Sequence, residues 1–371
     1  MPDTVHDTAA DAPADTVNDP MNDPVNDVAI DAVTQESPAR RDAPDLPADR
    51  RHPTVGWAGT GRMGFAMARR LADAGVDVAA WNRTADRAAP LAAHGATVVG
   101  SLAELRSRNV VFTMVADEHA LTELLMGEGG LLADPARVPG TVVDCSTVSP
   151  GASQTLRHAC AERGTAFLAA PVSGNAKVVA AGRLGIVVSG PRAAYERAEA
   201  LLRIIGRAVT YAGDGDSARL VKIAHNLVLG IVTQALAETA VLAEKGGVPR
   251  RAYLEFLNDS VLGSEFTRYK TPALVELDYT PTFTPVLLRK DFDLGLDAGR
   301  TLDVPLPLAA ATAQLVQACV SSGRGAEDFA VLLDLQAAAS GLALKPGTLA
   351  PDPGAGTDTD ADAEADTGAD A

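Results

Sequence analysis

Three observations predict the fold class. A strand, a glycine turn, a helix and a second strand follow one another between residues 54 and 84. Strands and helices then alternate to about residue 212, and after residue 216 strand patterning stops. Together they predict an α/β chain with a doubly wound, Rossmann-type N-terminal domain, then an all-α C-terminal domain, joined by a long helix. The expected bounds are 53–214 and 215–343, flanked by disordered acidic tails at 1–52 and 344–371.

The first unit reads TVGWAGTGRMGFAMARRLADAGVDVAAWNRT. A short apolar strand at 54–58 stops at Gly59-Thr60-Gly61-Arg62-Met63-Gly64, a G-x-G-x-x-G, and helical spacing follows at once through Met63, Met67, Ala68 and Leu71. Gly59 allows the tight turn, Gly61 lets a pyrophosphate reach the backbone, and Gly64 lets the helix pack close to the strand. The N-terminal N–H groups of the helix are then aimed at the phosphate. Alone this motif is a turn like many others. Between a strand and a helix of this length it predicts dinucleotide binding.

The end of the second strand selects the dinucleotide. Asn82 stands 23 residues past Gly59, where a site for NAD offers an acid to the ribose 2′-hydroxyl. Here the run is Asn82-Arg83-Thr84. An amide, a guanidinium and a hydroxyl suit a 2′-phosphate, so the expected cofactor is NADP in preference to NAD.

Further strands are expected at 96–99, 109–114, 141–145, 166–170, 184–189 and 208–211, in one parallel sheet with the first two. Helices are expected at 85–94, 101–107, 117–125, 149–163 and 191–205. Past the turn Gly213-Asp214-Gly215-Asp216, residues 217–245 form one helix that is apolar nearly all round, which requires burial in a core or against a partner chain. The chain then stays helical to about 340.

The 371 residues carry a net charge of −16, and the segments 1–50 and 346–371 hold all of it. Residues 51–345 contain 29 acidic and 29 basic side chains. A neutral body gives no support for nucleic acid or an anionic membrane as partner, and a small-molecule substrate is expected. The acidic start lacks the apolar core of a secretory signal, and no membrane span is expected. Three sparse cysteines (Cys145, Cys160, Cys319) suit a reducing cytoplasm. No histidine spacing predicts a metal.

Chemistry-bearing residues gather at three places besides the glycine turn. The first is Asp144-Cys145-Ser146-Thr147-Val148-Ser149-Pro150, at a strand's C-terminal end where α/β sheets bind ligands. Ser149 and Pro150 read as a helix cap, which leaves Ser146 and Thr147 free to serve a carboxylate or the nicotinamide ribose. The second is the strand-end loop Ala170-Pro171-Val172-Ser173-Gly174-Asn175, whose N–H groups suit an anion. The third is Lys222, His225 and Asn226, on one face of the long helix. Burial there favours a neutral amine able to exchange a proton, whereas a snorkelling surface Lys is the plainer alternative.

In this order the motifs resemble the β-hydroxyacid dehydrogenase family, and more distantly 6-phosphogluconate dehydrogenase. The similarity covers about 54–340. Gly59 to Gly64 resembles its G-L-G-x-M-G, Asn82-Arg83-Thr84 its N-R-T, and Asp144 to Pro150 its D-x-S-T-x-x-P. Pro171 to Gly174 resembles P-V-S-G-G, Gly215 to Asn226 resembles G-x-x-x-x-x-K-x-x-x-N, and Lys290-Asp291 resembles the K-D pair beside the nicotinamide.

The resemblance implies an NAD(P)-dependent oxidoreductase that interconverts a small 3-hydroxy acid, or a related hydroxy acid, with its semialdehyde or oxo form. Lys222 would be the acid/base and Asn226 would hold the substrate. Ser146, Ser173, Gly174 and Asn175 would form the carboxylate pocket, while Thr147, Val115 and Lys290 would touch the cofactor. It also implies a homodimer or homotetramer paired through the helical domain. Asn175 replaces the second glycine of P-V-S-G-G, Ala169 replaces an acid, and Val115-Ala116 replaces a Leu-Pro. These departures point to a substrate other than the family's best-known small acids. Two rival readings are an imine reductase on the same fold, against which Lys222 stands, and a non-catalytic dinucleotide-binding module.

Overall fold

The computed structural model describes residues 53–349, and the expected tail at 1–52 lies outside the described residues. The chain order is β1 (Val55–Ala58), α1 (Arg62–Asp73), β2 (Val78–Trp81), β3 (Thr97–Val98), β4 (Val110–Thr113), α2 (Glu118–Met126), β5 (Thr141–Asp144), α3 (Pro150–Glu162) and β6 (Ala166–Ala169). These strands form one parallel sheet in the order β3-β2-β1-β4-β5-β6, the doubly wound order of a Rossmann domain. Strands β1, β4 and β5 are buried along their whole length, as a sheet covered on both faces demands. Trp57 and Phe112 stack inside it with ring centroids 5.3 Å apart.

The single eight-stranded sheet expected from the sequence is corrected to two sheets. After β6 come β7 (Val172–Ser173), α4 (Ala176–Ala180), β8 (Leu184–Val188), α5 (Arg192–Ile205) and β9 (Gly206–Tyr211). Strands β7, β8 and β9 make a separate small sheet, in which β7 runs antiparallel to β8. The loop expected at 170–175 thus holds a two-residue strand and the start of a short helix. Two expected helices are corrected as well. Residues 85–94 and 101–107 carry only 3-10 segments, Ala85–Arg87, Ala89–His94 and Leu102–Leu105. Pro90 lies in the first turn of the second of these, and left-handed Gly95 (φ 86°) ends it after two turns.

The helical half consists of α6 (Ser217–Lys245), α7 (Arg250–Asp259), α8 (Glu265–Glu276), α9 (Pro285–Thr301), α10 (Pro307–Cys319) and α11 (Leu332–Ala339). Helix α6 covers the expected residues and packs against α7, α9, α10 and α11. It is apolar enough, by length and composition, to pass for a membrane span, which the sequence reading did not anticipate. Half of that apolar stretch is buried inside the protein, the position of a core helix. Where α6 meets α9, two glycines let the backbones close in: a Cβ on Gly230 would stand 2.4 Å from the Phe292 ring, and one on Gly295 would stand 2.7 Å from Leu227.

The boundary expected at 343/344 also moves. Residues 344–349 lie along the helical bundle, where the Lys345 carbonyl accepts from Arg250 (2.9 Å) and the Gly347 N–H donates to the Val275 carbonyl (2.9 Å). Leu344 and Leu349 pack against the same core.

Candidate functional site

At the cofactor end, β1 leads into the glycine turn. Gly59 has φ +97°, and a Cβ there would strike the Met114 carbonyl at 2.2 Å; one on Gly64 would strike the Gly59 carbonyl at 2.0 Å. A Cβ on Gly61 would meet no protein atom within 4 Å, so the approach to this glycine is open. Helix α1 begins there without a side-chain cap or an acidic residue in its first turn, leaving its N–H groups for a ligand. The Thr60 hydroxyl is buried without a partner. These features fit the pyrophosphate of a dinucleotide.

Asn82 is placed differently from expectation. Its Oδ1 accepts from the Thr60 N–H (2.9 Å) and its Nδ2 donates to the Thr84 carbonyl (2.9 Å), so it braces the glycine turn against the end of β2. Arg83 and Thr84 are exposed beyond it, and Arg62 and Met63 open the first turn of α1. On the neighbouring strand ends, the Lys290 ammonium donates to the Thr147 carbonyl at 3.3 Å, bringing α9 over the loop after β5.

Near the start of α6 the expected trio stands together. Lys222 Nζ donates to Asn226 Oδ1 (2.9 Å), and Asn226 Nδ2 donates to Asp291 Oδ2 on α9 (2.5 Å). His225 places Nδ1 at 3.0 Å from the same Asn226 oxygen and Nε2 at 3.1 Å from the Ser173 hydroxyl. With the amide nitrogen of Asn226 committed to Asp291, Nδ1 carries the imidazole proton and Nε2 accepts from Ser173. Burial pushes the Lys222 amine down to about 8, Asp291 opposing the shift and Lys290 adding to it. Burial also lowers His225 and raises Asp291. A cleft of about 170 Å³ opens here, lined by Val172, Ser173, Ile186, Val221, Lys222 and His225.

Three residues expected to hold the substrate do other work: Asn226 is buried, with its oxygen shared by Lys222 and His225 and its nitrogen given to Asp291. Ser146 is fully buried, its hydroxyl donating to Asp144 (2.7 Å) and accepting from the Val115 N–H (3.0 Å), so it faces the protein and not the cleft. Asn175 caps α4 by accepting from the Val178 N–H (3.0 Å) and donates through Nδ2 to the Tyr269 hydroxyl on α8 (2.9 Å). Gly174 keeps φ +136°, and a Cβ there would meet Val178 at 2.8 Å. Ser173 does line the cleft, and Ser149 does cap α3 as read from the sequence.

Sequence reasoning missed Arg219 and Tyr269. Tyr269 reaches the loop from 94 positions away, and no local pattern signals that. Arg219 had a signal, a second cation one turn before Lys222 on an apolar helix.

Two family models match the chain. Residues 54–213 match the NAD binding domain of 6-phosphogluconate dehydrogenase, and residues 216–336 match the NAD-binding region of NADP-dependent 3-hydroxyisobutyrate dehydrogenase. L-Threonate dehydrogenase of Cupriavidus necator is 34% identical over 76% of this chain and 95% of its own length. The 2-(hydroxymethyl)glutarate dehydrogenase of Eubacterium barkeri is 31% identical over 79% of this chain and 98% of its own. The crystal structure of 3-hydroxyisobutyrate dehydrogenase from Salmonella typhimurium superposes with a TM-score of 0.69 at 27% identity, covering 76% of this chain and 99% of that one.

Proposed function

The chain belongs to the β-hydroxyacid dehydrogenase family, an NAD(P)-dependent group of oxidoreductases, and from that premise we propose that it interconverts a small 3-hydroxy acid and its semialdehyde. The observation that carries the proposal is the Lys222 amine, depressed to about 8 and held by Asn226 at the mouth of a cleft beside Ser173. The glycine turn at Gly59 to Gly64, with Thr147 and Lys290, would hold a nicotinamide dinucleotide, whose chemistry would be hydride exchange at the carbon that bears the oxygen. In the oxidising direction neutral Lys222 accepts the hydroxyl proton, and in the reducing direction its ammonium returns that proton to the carbonyl oxygen. Asn226 orients Lys222 through one oxygen, and Asp291 fixes Asn226 in turn. The loop N–H groups around Gly174 would receive the substrate carboxylate, and the Ser173 hydroxyl would have to turn its proton away from His225 Nε2 to join them.

NADP is the proposed cofactor, supported by exposed Arg83 at the end of β2 and by the NADP-dependent enzyme whose model fits residues 216–336. A homodimer or homotetramer through the helical half is proposed on the strength of Leu242, Phe256, Val261 and Leu262, all more than two-thirds exposed. Residence in the cytoplasm is proposed from three buried, unpaired cysteines. The test is a panel of 3-hydroxy acids, semialdehydes and imines, read by nicotinamide absorbance with NADP and with NAD. Turnover of a hydroxy acid supports the proposal; turnover of imines alone, or of nothing in the panel, sinks it.

A further inference from the structure

We infer that Arg219 is a positioning residue, which registers α6 on the end of β5 and so sets where Lys222 stands over the cofactor-side loop. The inference rests on the function proposed above. Arg219 lies one turn before Lys222 and is 2% exposed. Its guanidinium makes two separate contacts across the junction: Nη2 to Asp144 Oδ2 at 2.6 Å, and Nη1 to the Ser146 carbonyl at 2.9 Å. Asp144 is itself fully buried, and its Oδ1 accepts from the hydroxyls of Thr113 (2.6 Å) and Ser146 (2.7 Å). Ser146 in turn receives the Val115 N–H. One buried hub therefore fixes the ends of β4 and β5 and the first turn of α6.

A second hub lies beside it. Asp216, at the start of α6, accepts from the Ser153 hydroxyl (2.5 Å) and from Arg157 (2.7 Å), and Arg157 also donates to the Gly215 carbonyl (2.6 Å). The Arg219 Nε stands 3.8 Å from that same carboxylate. Stability alone gives a poor account of this arrangement, because a buried ion pair is often matched by apolar residues of similar size. A planar fork gripping a carboxylate and a carbonyl adds something an apolar pair lacks, a fixed distance and a fixed rotation. Lys222 follows about 4.5 Å along the same helix, so a slip of α6 moves the amine by a comparable amount. Misplacement of a reacting group by about 1 Å can cost roughly a hundredfold in rate.

The test uses the full chain with three variants. Arg219→Lys keeps the charge but reaches only one of the two acceptors. It should hold its melting temperature within a few degrees and its NADP affinity unchanged, with kcat lowered about ten- to a hundredfold and KM moved less. Arg219→Gln should lose both stability and kcat, and Asp144→Asn with Arg219→Gln should regain stability while kcat stays low. Wild-type kcat in Arg219→Lys overturns the inference; so does kcat recovering together with melting temperature in the double variant, since charge balance alone then explains Arg219.

A readout without turnover separates this inference from the proposed function. The chain has six lysines and Arg219→Lys adds a seventh, so the dimethylated Lys222 resonance is assigned by its loss on adding Lys222→Arg to each protein and is then followed by NMR. It should shift, and titrate elsewhere, in Arg219→Lys; an unmoved resonance overturns the inference. A protein that turns over nothing in the panel yet shows this shift fails the functional proposal and keeps the positioning role.

Discussion

Raising the pH through 8 should help one direction of the reaction and hinder the other. An unperturbed lysine at 10.5 would be neutral in only about 0.03% of molecules at pH 7, whereas the Lys222 amine, lowered to about 8, is neutral in roughly 9%. That is about a 300-fold gain in the form that accepts a proton. Oxidation should therefore rise about tenfold between pH 7 and 9 and then level, while reduction, which needs the ammonium, should fall over the same interval. The carboxylate of Asp291 opposes the shift, so Asp291→Asn should move both inflections to lower pH. Lys222→Ala should lower kcat by roughly 10²–10⁴, and Lys222→Arg nearly as much, since a guanidinium keeps its proton. The measurement is kcat against pH in both directions, followed by nicotinamide absorbance. Profiles without an inflection near 8, or an Arg variant that keeps most of the rate, would refute the acid/base role. The linkage to stability has a definite sign. Between about 8 and 10.5 the unfolded chain holds a proton that folded Lys222 has lost, so this residue's contribution to stability rises with pH there.

Three further outcomes are expected. Arg83→Ala should weaken NADP by about 1.5–3 kcal/mol and leave NAD nearly untouched, because only the 2′-phosphate makes a charge-assisted bond there; equal losses by calorimetry would exclude that contact. Gly230→Ala gains helix propensity worth at most about 1 kcal/mol but forces a Cβ to 2.4 Å from buried Phe292, an overpacking that costs roughly 1–3 kcal/mol. The melting temperature should drop and kcat with it, since α9 carries Lys290 and Asp291; an unchanged enzyme would mean that the two helices separate freely. A chain ending at 343 should melt several degrees below one ending at 349, because Arg250 and Val275 each lose a partner. Identical melting curves would show that the segment 344–349 adds nothing.

Legibility followed the length scale of each signal. Helix α6 was readable because 29 residues of helical apolar pattern sit between a Gly-Asp turn and Gly246-Gly247. The glycine turn was readable because its glycines have separate jobs: Gly59 and Gly64 leave no room for a Cβ, while Gly61 leaves the approach to the backbone open. The small sheet was not, since β7 has two residues and its partner β8 lies past a helix of five. Among site residues, Lys222, His225 and Asn226 could be grouped because helical spacing alone puts them on one face. Where Ser146 and Asn175 point was hidden: each hydroxyl or amide chooses between a ligand and a protein partner that only the fold supplies. Asp144, Arg219 and Tyr269 illustrate the same limit across gaps of 75 and 94 residues.

Helix α6 belongs to both hydrophobic cores at once. Ala218, in its first turn, is buried in the core of the parallel sheet, while Leu227, Leu236, Ala237, Ala240 and Val241 are buried in the core of the bundle. A single continuous rod of hydrogen bonds thus carries the strain of either half into the other. The first turn is held to the sheet half by Arg219 and Asp216 and the rest of the helix by the bundle, so the two halves are anchored to one element.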